Sequence, residues 1–379
     1  MTSANRPETR LATRLAFLAA GFGIACWAPL VPFAKQRLGV NEAELGLLIL
    51  CLGLGSVASM LITGVLSARF GSRPVIIGGG LGIALTLPLL TFANTPWTLG
   101  LALAAFGASL GSIDVAMNIH AVDVERDADH PLMSGFHALF SVGGFIGATF
   151  MTFLLSMDFG AIASSLLCSV VVALAIGVAG PRLLRNVHAT NGPLFVLPKG
   201  VVLVLAGLAA ITFLVEGAIL DWSALLLTDT GLVAKDQGGL GYILFSIAMT
   251  IGRLGGDAVT ARLGDRRMLI TGGFFAIAGF AVLLFAPIAW IALTGFLMIG
   301  LGASNLVPVL FRQAGAQRIM PAALAVAAIT TTGYAGILLG PALVGFVASG
   351  VGLSLAFGML GALLIAVPAC AHLVTARTA

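Results

Sequence analysis

Residues 64–73 read GVLSARFGSR, and residues 257–266 read DAVTARLGDR. Both carry A-R-[FL]-G-x-R, and Arg69 and Arg262 stand 193 residues apart in a chain of 379. The spacing is about half the chain, so the signature marks two copies of one unit. The echo continues downstream, where LGSID (110–114) resembles LGASN (301–305) at an offset of 191, shifted by a small indel. The polar stretch PRLLRNVHATNGPLFVLPKG (181–200) separates the copies. The boundaries expected from this are a first half at 1–182, a linker at 183–198 and a second half at 199–379.

Composition sets the medium in which the two halves fold. The chain is 59% hydrophobic and 9% charged, with a mean hydropathy of +1.10. A soluble globule carries about 25% charged residues, so 19 Lys+Arg and 15 Asp+Glu cannot solvate its surface. Disorder fails on the same numbers. A net charge of +4 scattered along the chain is no nucleic-acid footprint. Twelve apolar runs are long enough to cross a bilayer, which needs roughly 20 residues each. They are 12–33, 42–67, 74–93, 97–122, 131–156, 159–181, 199–227, 237–261, 267–285, 287–311, 320–348 and 352–374. Many of the 49 glycines fall inside them, which suits helices that approach closely in lipid. The runs do not alternate as barrel strands do. The expected fold is therefore an all-α polytopic membrane protein, twelve transmembrane helices in two pseudo-symmetric six-helix bundles.

The first run contains Pro29 and Pro32 and is longer than a signal-peptide core, so it reads as a span. Cys26, Cys51, Cys168 and Cys370 fall within spans without metal-site spacing and read as small buried hydrophobes. Orientation follows from loop arginines and lysines. With the N-terminus inside, one side collects Arg6, Arg10, Arg14, Arg69, Arg73, Arg126, Arg182, Arg185, Lys199, Arg262, Arg266, Arg267, Arg312, Arg318 and Arg377. The other holds Lys35, Arg37 and Lys235. Both termini are thus expected in the cytoplasm, in a multi-pass protein of the inner membrane.

Over its whole length the chain resembles the major facilitator superfamily of transporters. That family's inter-span motif, G-x-x-x-D-R-x-G-R-R, is matched here by Gly64, Arg69, Gly71 and Arg73, with Ala68 where the acid stands. GSIDVAMNIHAVDVE (111–125) and SGFHALFSVGG (134–144) resemble fourth- and fifth-span motifs of the fucose permease group. EGAILDW (216–222) and GRLGGD (252–257) resemble its rhizopine-associated, MosC-like branch. The resemblance puts Asp114 at that group's Glu position, Asn118 at its Asn and His137 at a sugar-contacting Gln. The group's functional first-span Asp has no counterpart in GIACWAPLVP (23–32), so its proton coupling is not transferable whole.

Charges at membrane depth cost several kcal/mol on insertion scales and face a cavity or a partner. Asp114 lies nine residues before Asp123, roughly 13 Å into its span at about 1.5 Å per residue. It is the first proton-coupling candidate, against a structural carboxylate bonded to a neighbouring span. Glu216 is the second, against a hydrogen bond that fixes a bend near Gly217. Arg253 and Asp257, four apart on one helix face, read either as a paired gating network or as a substrate-binding arginine with its neighbour. Arg69, Gly71, Arg73 and Arg262 complete the gating candidates. Asn118, His137, Trp222 and Asn305 are the substrate-binding candidates, since amides, an imidazole and an indole suit hydroxyls and ring faces. Two of these keep a second reading, Trp222 as an interface anchor and His137 as a packing residue. Asp221 lies further out in its span. Thr330, Thr331, Thr332 and Tyr334 line a wall or glue helices. Asp123, Glu125, Asp127 and Asp129, with Arg126, read as a solvated loop rather than a metal site.

These readings lead to a secondary active transporter that moves a small polar solute, sugar or cyclitol-like, by alternating access with proton symport. Internal repeats flanking a binding site are a transporter pattern. The alternatives are a proton-driven exporter of drugs or metabolites and a non-transporting sensor of the same fold. No enzyme signature, metal site or cofactor motif is found. The expected partners are a small-molecule substrate, protons and the lipid bilayer, with no nucleic acid, and the protein is expected to act as a monomer.

Overall fold

The computed structural model describes residues 6–40, 42–185, 197–233 and 240–375. Most of the expected linker and the outer-loop Lys235 lie outside the described residues. The described residues form fifteen α-helices and no strand. In a bilayer only internally hydrogen-bonded backbone survives, and an apolar run of this length achieves that as a helix.

The chain divides into two compact units. The first comprises Met1–Asp129 and Phe136–Val196. Its helices are α1 (Pro7–Ala25), α2 (Val31–Leu38), α3 (Glu42–Phe70), α4 (Ser72–Phe92), α5 (Pro96–Arg126), α6 (Met133–Ser156) and α7 (Gly160–Ala179). The second comprises Leu197–Ala379 with the short segment His130–Gly135, the start of α6. It holds α8 (Val201–Asp229), α9 (Leu240–Leu263), α10 (Asp265–Leu284), α11 (Ala289–Ala303), α12 (Leu306–Ala316), α13 (Ala322–Val351), α14 (Leu353–Leu363) and α15 (Ala366–Thr375).

Among the described residues, eleven stretches are long and apolar enough to cross a membrane. The remaining expected span, 320–348, falls on α13, where Ala322–Ile337 is a shorter apolar stretch. Large apolar side chains point outward, with Leu85 72% and Phe145 75% exposed. That is untenable in water and natural where the solvent is lipid.

Prolines break three spans into helix pairs. Pro29 and Pro32 separate α1 from α2. Pro308 follows the break between α11 and α12, and Pro368 the break between α14 and α15. A proline has no N–H for the carbonyl four residues back. The Leu364 carbonyl, so freed, accepts instead from Val367 N–H at 3.0 Å. The Ser304 carbonyl is freed in the same way by Pro308, and its replacement partner belongs to the candidate site.

The duplication is also visible in the backbone. The glycine of the repeated signature precedes a new helix in each unit, at φ 81°, ψ 159° for Gly71 and φ 79°, ψ 158° for Gly264. L side chains avoid that region, so the repeat keeps glycine for a turn that only glycine makes cheaply.

Packing inside the first unit rests on small residues. A Cβ placed on Gly107 would lie 1.9 Å from the Leu52 carbonyl oxygen, and one on Gly111 would lie 2.5 Å from that of Ser56. Ser56 Oγ–H donates to the Gly107 carbonyl at 2.7 Å. Helices α3 and α5 therefore meet backbone to backbone, which small residues permit in lipid. The four cysteines are free thiols; Cys26 and Cys168 are buried, as expected of small apolar fillers, whereas Cys51 and Cys370 are only half-buried.

Candidate functional site

In the first unit the polar groups gather on α5 and the start of α6. Asp114 is buried on α5, one turn beyond the tight Gly107–Gly111 seam. Asn118 is buried one turn further on. Its Nδ2 donates to the Asp114 carbonyl at 2.9 Å and reaches Asp114 Oδ1 at 3.5 Å. Asn118 Oδ1 is buried with no hydrogen-bond partner among the described residues. An unmet acceptor beside a carboxyl is a place where a hydroxyl would gain a bond. His137, half-buried on α6, meets the ring of Phe17 edge-on at 5.3 Å between centroids. That contact fixes the imidazole plane against α1.

One residue of this unit is marked by no motif and no charge. His120 is fully buried on α5. Leu184 N–H donates to its Nε2 at 2.9 Å. A backbone N–H only donates, so Nε2 carries the lone pair and a neutral ring holds its proton on Nδ1. Thr13 Oγ1 lies 3.3 Å from that nitrogen, and its own hydrogen goes to the Thr9 carbonyl at 2.8 Å. This relay joins α5, α1 and the segment after α7. Only its scarcity as a polar residue in an apolar span marked it in the sequence. The His120→Phe substitution strands the buried Leu184 N–H and is expected to cost about 1–3 kcal/mol. Thermal unfolding in detergent checks this, and a melting point equal to wild type would remove the relay from the stability account.

In the second unit, Glu216 on α8 and Arg253 on α9 come together. Arg253 Nη2 lies 3.6 Å from Glu216 Oε2, with the two side chains 11% and 19% exposed. Arg253 Nε also donates to the Ser304 carbonyl at 3.4 Å. That carbonyl is the one freed by Pro308, so the break between α11 and α12 helps aim the guanidinium. Glu216 Oε1 is buried with no hydrogen-bond partner among the described residues. The ion pair thus satisfies one carboxylate oxygen and leaves the other an open acceptor. The sequence reading placed Arg253 with Asp257; the structure adds Glu216 as a neighbour from another helix.

Asp257 is engaged at the first turn of α6. Its Oδ1 accepts from Ser134 N–H at 2.9 Å and its Oδ2 from Gly135 N–H at 2.7 Å. A carboxylate there is favoured by the unmet amides and dipole of a helix start. Asn305 sits at the α11–α12 break. It accepts from Ser134 Oγ–H at 2.6 Å and donates to the Gly252 carbonyl at 3.0 Å and Ser304 Oγ at 2.9 Å. Both sides of its amide are thereby held by protein groups. Gly256 makes room for it, because a Cβ there would lie 1.7 Å from Asn305 Oδ1.

Trp222 is half-buried, and its buried Nε1 has no acceptor among the described residues. Its ring lies against Gly345 on α13, where an added Cβ would approach to 3.0 Å. Asp221 beside it is exposed. Thr330, Thr331 and Thr332 each donate to the carbonyl four residues back on α13. Of the remaining gating candidates, Arg69 and Arg262 are exposed, Arg73 half-buried and Gly71 buried at its turn. The expected solvated loop is in part helical: Asp123, Glu125 and Arg126 form the last turn of α5, with Glu125 buried and Arg126 3.5 Å from Asp123, and no cluster of three metal-ligating side chains occurs among the described residues.

The sequence profile of the Major Facilitator Superfamily matches residues 15–318. An uncharacterised MFS-type transporter of Yersinia pestis is 48% identical over 367 residues, covering 97% of this chain and 96% of that protein. Membrane protein MosC of Rhizobium meliloti is 32% identical over 354 residues, 93% of this chain and 86% of that one. Among solved structures, the Escherichia coli fucose:proton symporter FucP superposes with a TM-score of 0.72 at 17% identity, covering 98% of this chain and 99% of that one.

Proposed function

This chain belongs to the Major Facilitator Superfamily, and on that premise we propose that it moves a small polyhydroxylated solute by proton-coupled symport. That it is a multi-pass membrane transporter and not an enzyme follows from the family itself. The reading of solute and coupling rests on one observation above all. Asp114 is buried beside Asn118 in an apolar helix, and three buried polar atoms, Asn118 Oδ1, Glu216 Oε1 and Trp222 Nε1, have no hydrogen-bond partner among the described residues. Buried polar groups are ordinarily hydrogen-bonded, so such atoms mark where a solute's hydroxyls would bind. In this scheme Asp114 and Glu216 take up and release protons. Asn118, His137 and Trp222 contact the solute, and Asn305 positions the α11–α12 break around it. Asp257, Arg253 and the arginines of the repeated signature, Arg69, Arg73 and Arg262, act in gating, with Gly71 as the turn between spans. The arginine-rich ends of the spans face the cytoplasm of a cell bounded by this inner membrane, and the protein works as a monomer.

The Asp114→Asn variant tests the coupling role. It keeps the shape of the side chain and removes its ionisation. In proteoliposomes, gradient-driven accumulation of a transported sugar or cyclitol is expected to be abolished, while counterflow exchange without a gradient persists. Accumulation at the wild-type level would sink the assignment of Asp114.

A further inference from the structure

The repeated signature also borders a cavity in each unit. In the second unit a cavity of about 660 Å³ opens at the ends of the spans, between the turn at Gly264, the end of α12 and the end of α15. Arg266, Arg267 and Arg318 line it, and all three are exposed. No carboxylate pairs with any of them among the described residues. Asp265, the acid at this wall, is already engaged by Arg312 Nη1 and Gln313 Nε2. Gln317 shapes the loop that presents Arg318. Its Nε2 donates to the Met320 carbonyl at 2.7 Å, and its Oε1 accepts from the N–H groups of Ile319 and Met320. The rest of the lining is partly apolar, with Val201, Leu263 and Val374.

The first unit repeats the arrangement on a smaller scale. A cavity of about 330 Å³ is lined by Gly71, Arg73 and Arg185 with the apolar Phe70, Pro74 and Ile77. Gly71 and Arg73 are the repeat mates of Gly264 and Arg266 at the same 193-residue offset. Two copies of one turn thus each combine arginines with an apolar wall.

We propose that these cavities are binding pockets for the phosphate headgroup of an anionic phospholipid, the second-unit pocket being the stronger. Guanidinium groups match phosphate oxygens in geometry and charge. Basic pockets between helices on the cytoplasmic side take anionic headgroups. The apolar part of each lining favours a lipid over a free anion, because it offers the glycerol and first methylenes a surface away from water. The topology proposed above places both pockets in the cytoplasmic leaflet, and binding in detergent is read out whichever way the protein is oriented.

The test uses the purified full chain with phosphatidylglycerol, phosphatidylcholine or inorganic phosphate, followed by lipid counting by native mass spectrometry and by melting temperature. Phosphatidylglycerol is expected to be retained and to raise the melting temperature, with phosphatidylcholine and inorganic phosphate giving little. In the Arg266→Gln, Arg267→Gln, Arg318→Gln triple variant its affinity should fall on the order of 100-fold, about fivefold per arginine. Arg126→Gln, which also removes one exposed arginine, should leave it unchanged. Full phosphatidylglycerol retention by the triple variant would overturn the proposal. So would an equal melting shift from inorganic phosphate alone, which would make the ligand a soluble anion. Should the triple variant not fold, a photoactivatable phosphatidylglycerol on the wild-type protein decides. Labelling of the peptides around Arg266 and Arg318, with weaker labelling around Arg73 and Arg185, supports the pockets, and labelling confined to other peptides overturns them.

Discussion

Replacing Arg253 by Met is expected to destabilise the protein by roughly 3–5 kcal/mol, the usual cost of leaving one member of a buried ion pair alone. Glu216 would lose the guanidinium 3.6 Å away and either hold a lone charge among apolar helices or take up a proton to shed it, each at a cost to folding. The freed Ser304 carbonyl would lose its donor as well. The companion change, Glu216→Gln in the Arg253→Met background, should recover most of the loss, because a neutral amide needs no counter-charge. Unfolding midpoints of the wild type, both single variants and the double variant form a cycle that isolates the coupling. If the double variant is as unstable as Arg253→Met alone, the two residues do not act as a pair. The same cycle bears on transport. If the pair is part of the coupling machinery, the stable double variant should still fail to concentrate solute against a gradient.

The second large effect comes from the seam between α3 and α5. A single methyl on Gly107 would lie 1.9 Å from the Leu52 carbonyl oxygen. That neighbour is backbone and cannot rotate away. Gly107→Ala should therefore force the helices apart and cost about 3 kcal/mol or more, at the upper end of overpacking effects. It should also shift Asp114, which sits seven residues on along the same helix. Gly78 on α4 is the control, since a Cβ there meets nothing within 4 Å. Gly78→Ala should be neutral or mildly stabilising, as alanine is the better helix former. Melting temperatures of the two variants settle the contrast. Equal values would mean that α3 and α5 can separate at no cost.

Much of the fold is legible in the sequence. Twelve apolar runs, the 193-residue offset and the arginine asymmetry are patterns along the chain, and a bilayer turns such patterns directly into helices. The candidate site was legible only as a set of residues. The scarcity of charge singled out Asp114, Glu216, Arg253 and Asp257, because each stands where lipid would penalise it. Spacing along one helix suggested that Arg253 and Asp257 share a face, and this led the reading to join them. Glu216 is 37 residues from Arg253 in the chain, and no periodicity connects them. Their meeting depends on how α8 and α9 pack, and the aim of the guanidinium depends on a carbonyl freed by a proline on a third helix. Asn305 likewise looked like a cavity-lining amide, yet its bonds go to Ser134, Gly252 and Ser304. His120 passed unnoticed because its role lies in accepting from the backbone of Leu184, 64 residues away.

The division has a physical cause. Burial in lipid is decided residue by residue and helix by helix, so hydropathy and repeat alone were enough to establish a duplicated helical membrane protein. Partnership between polar groups is decided by where helices touch. Contacts such as Gly107 on Leu52 and Arg253 on Glu216 exist only once the helices have packed, when a few tenths of an ångström determine which atoms are satisfied and which remain open for a ligand.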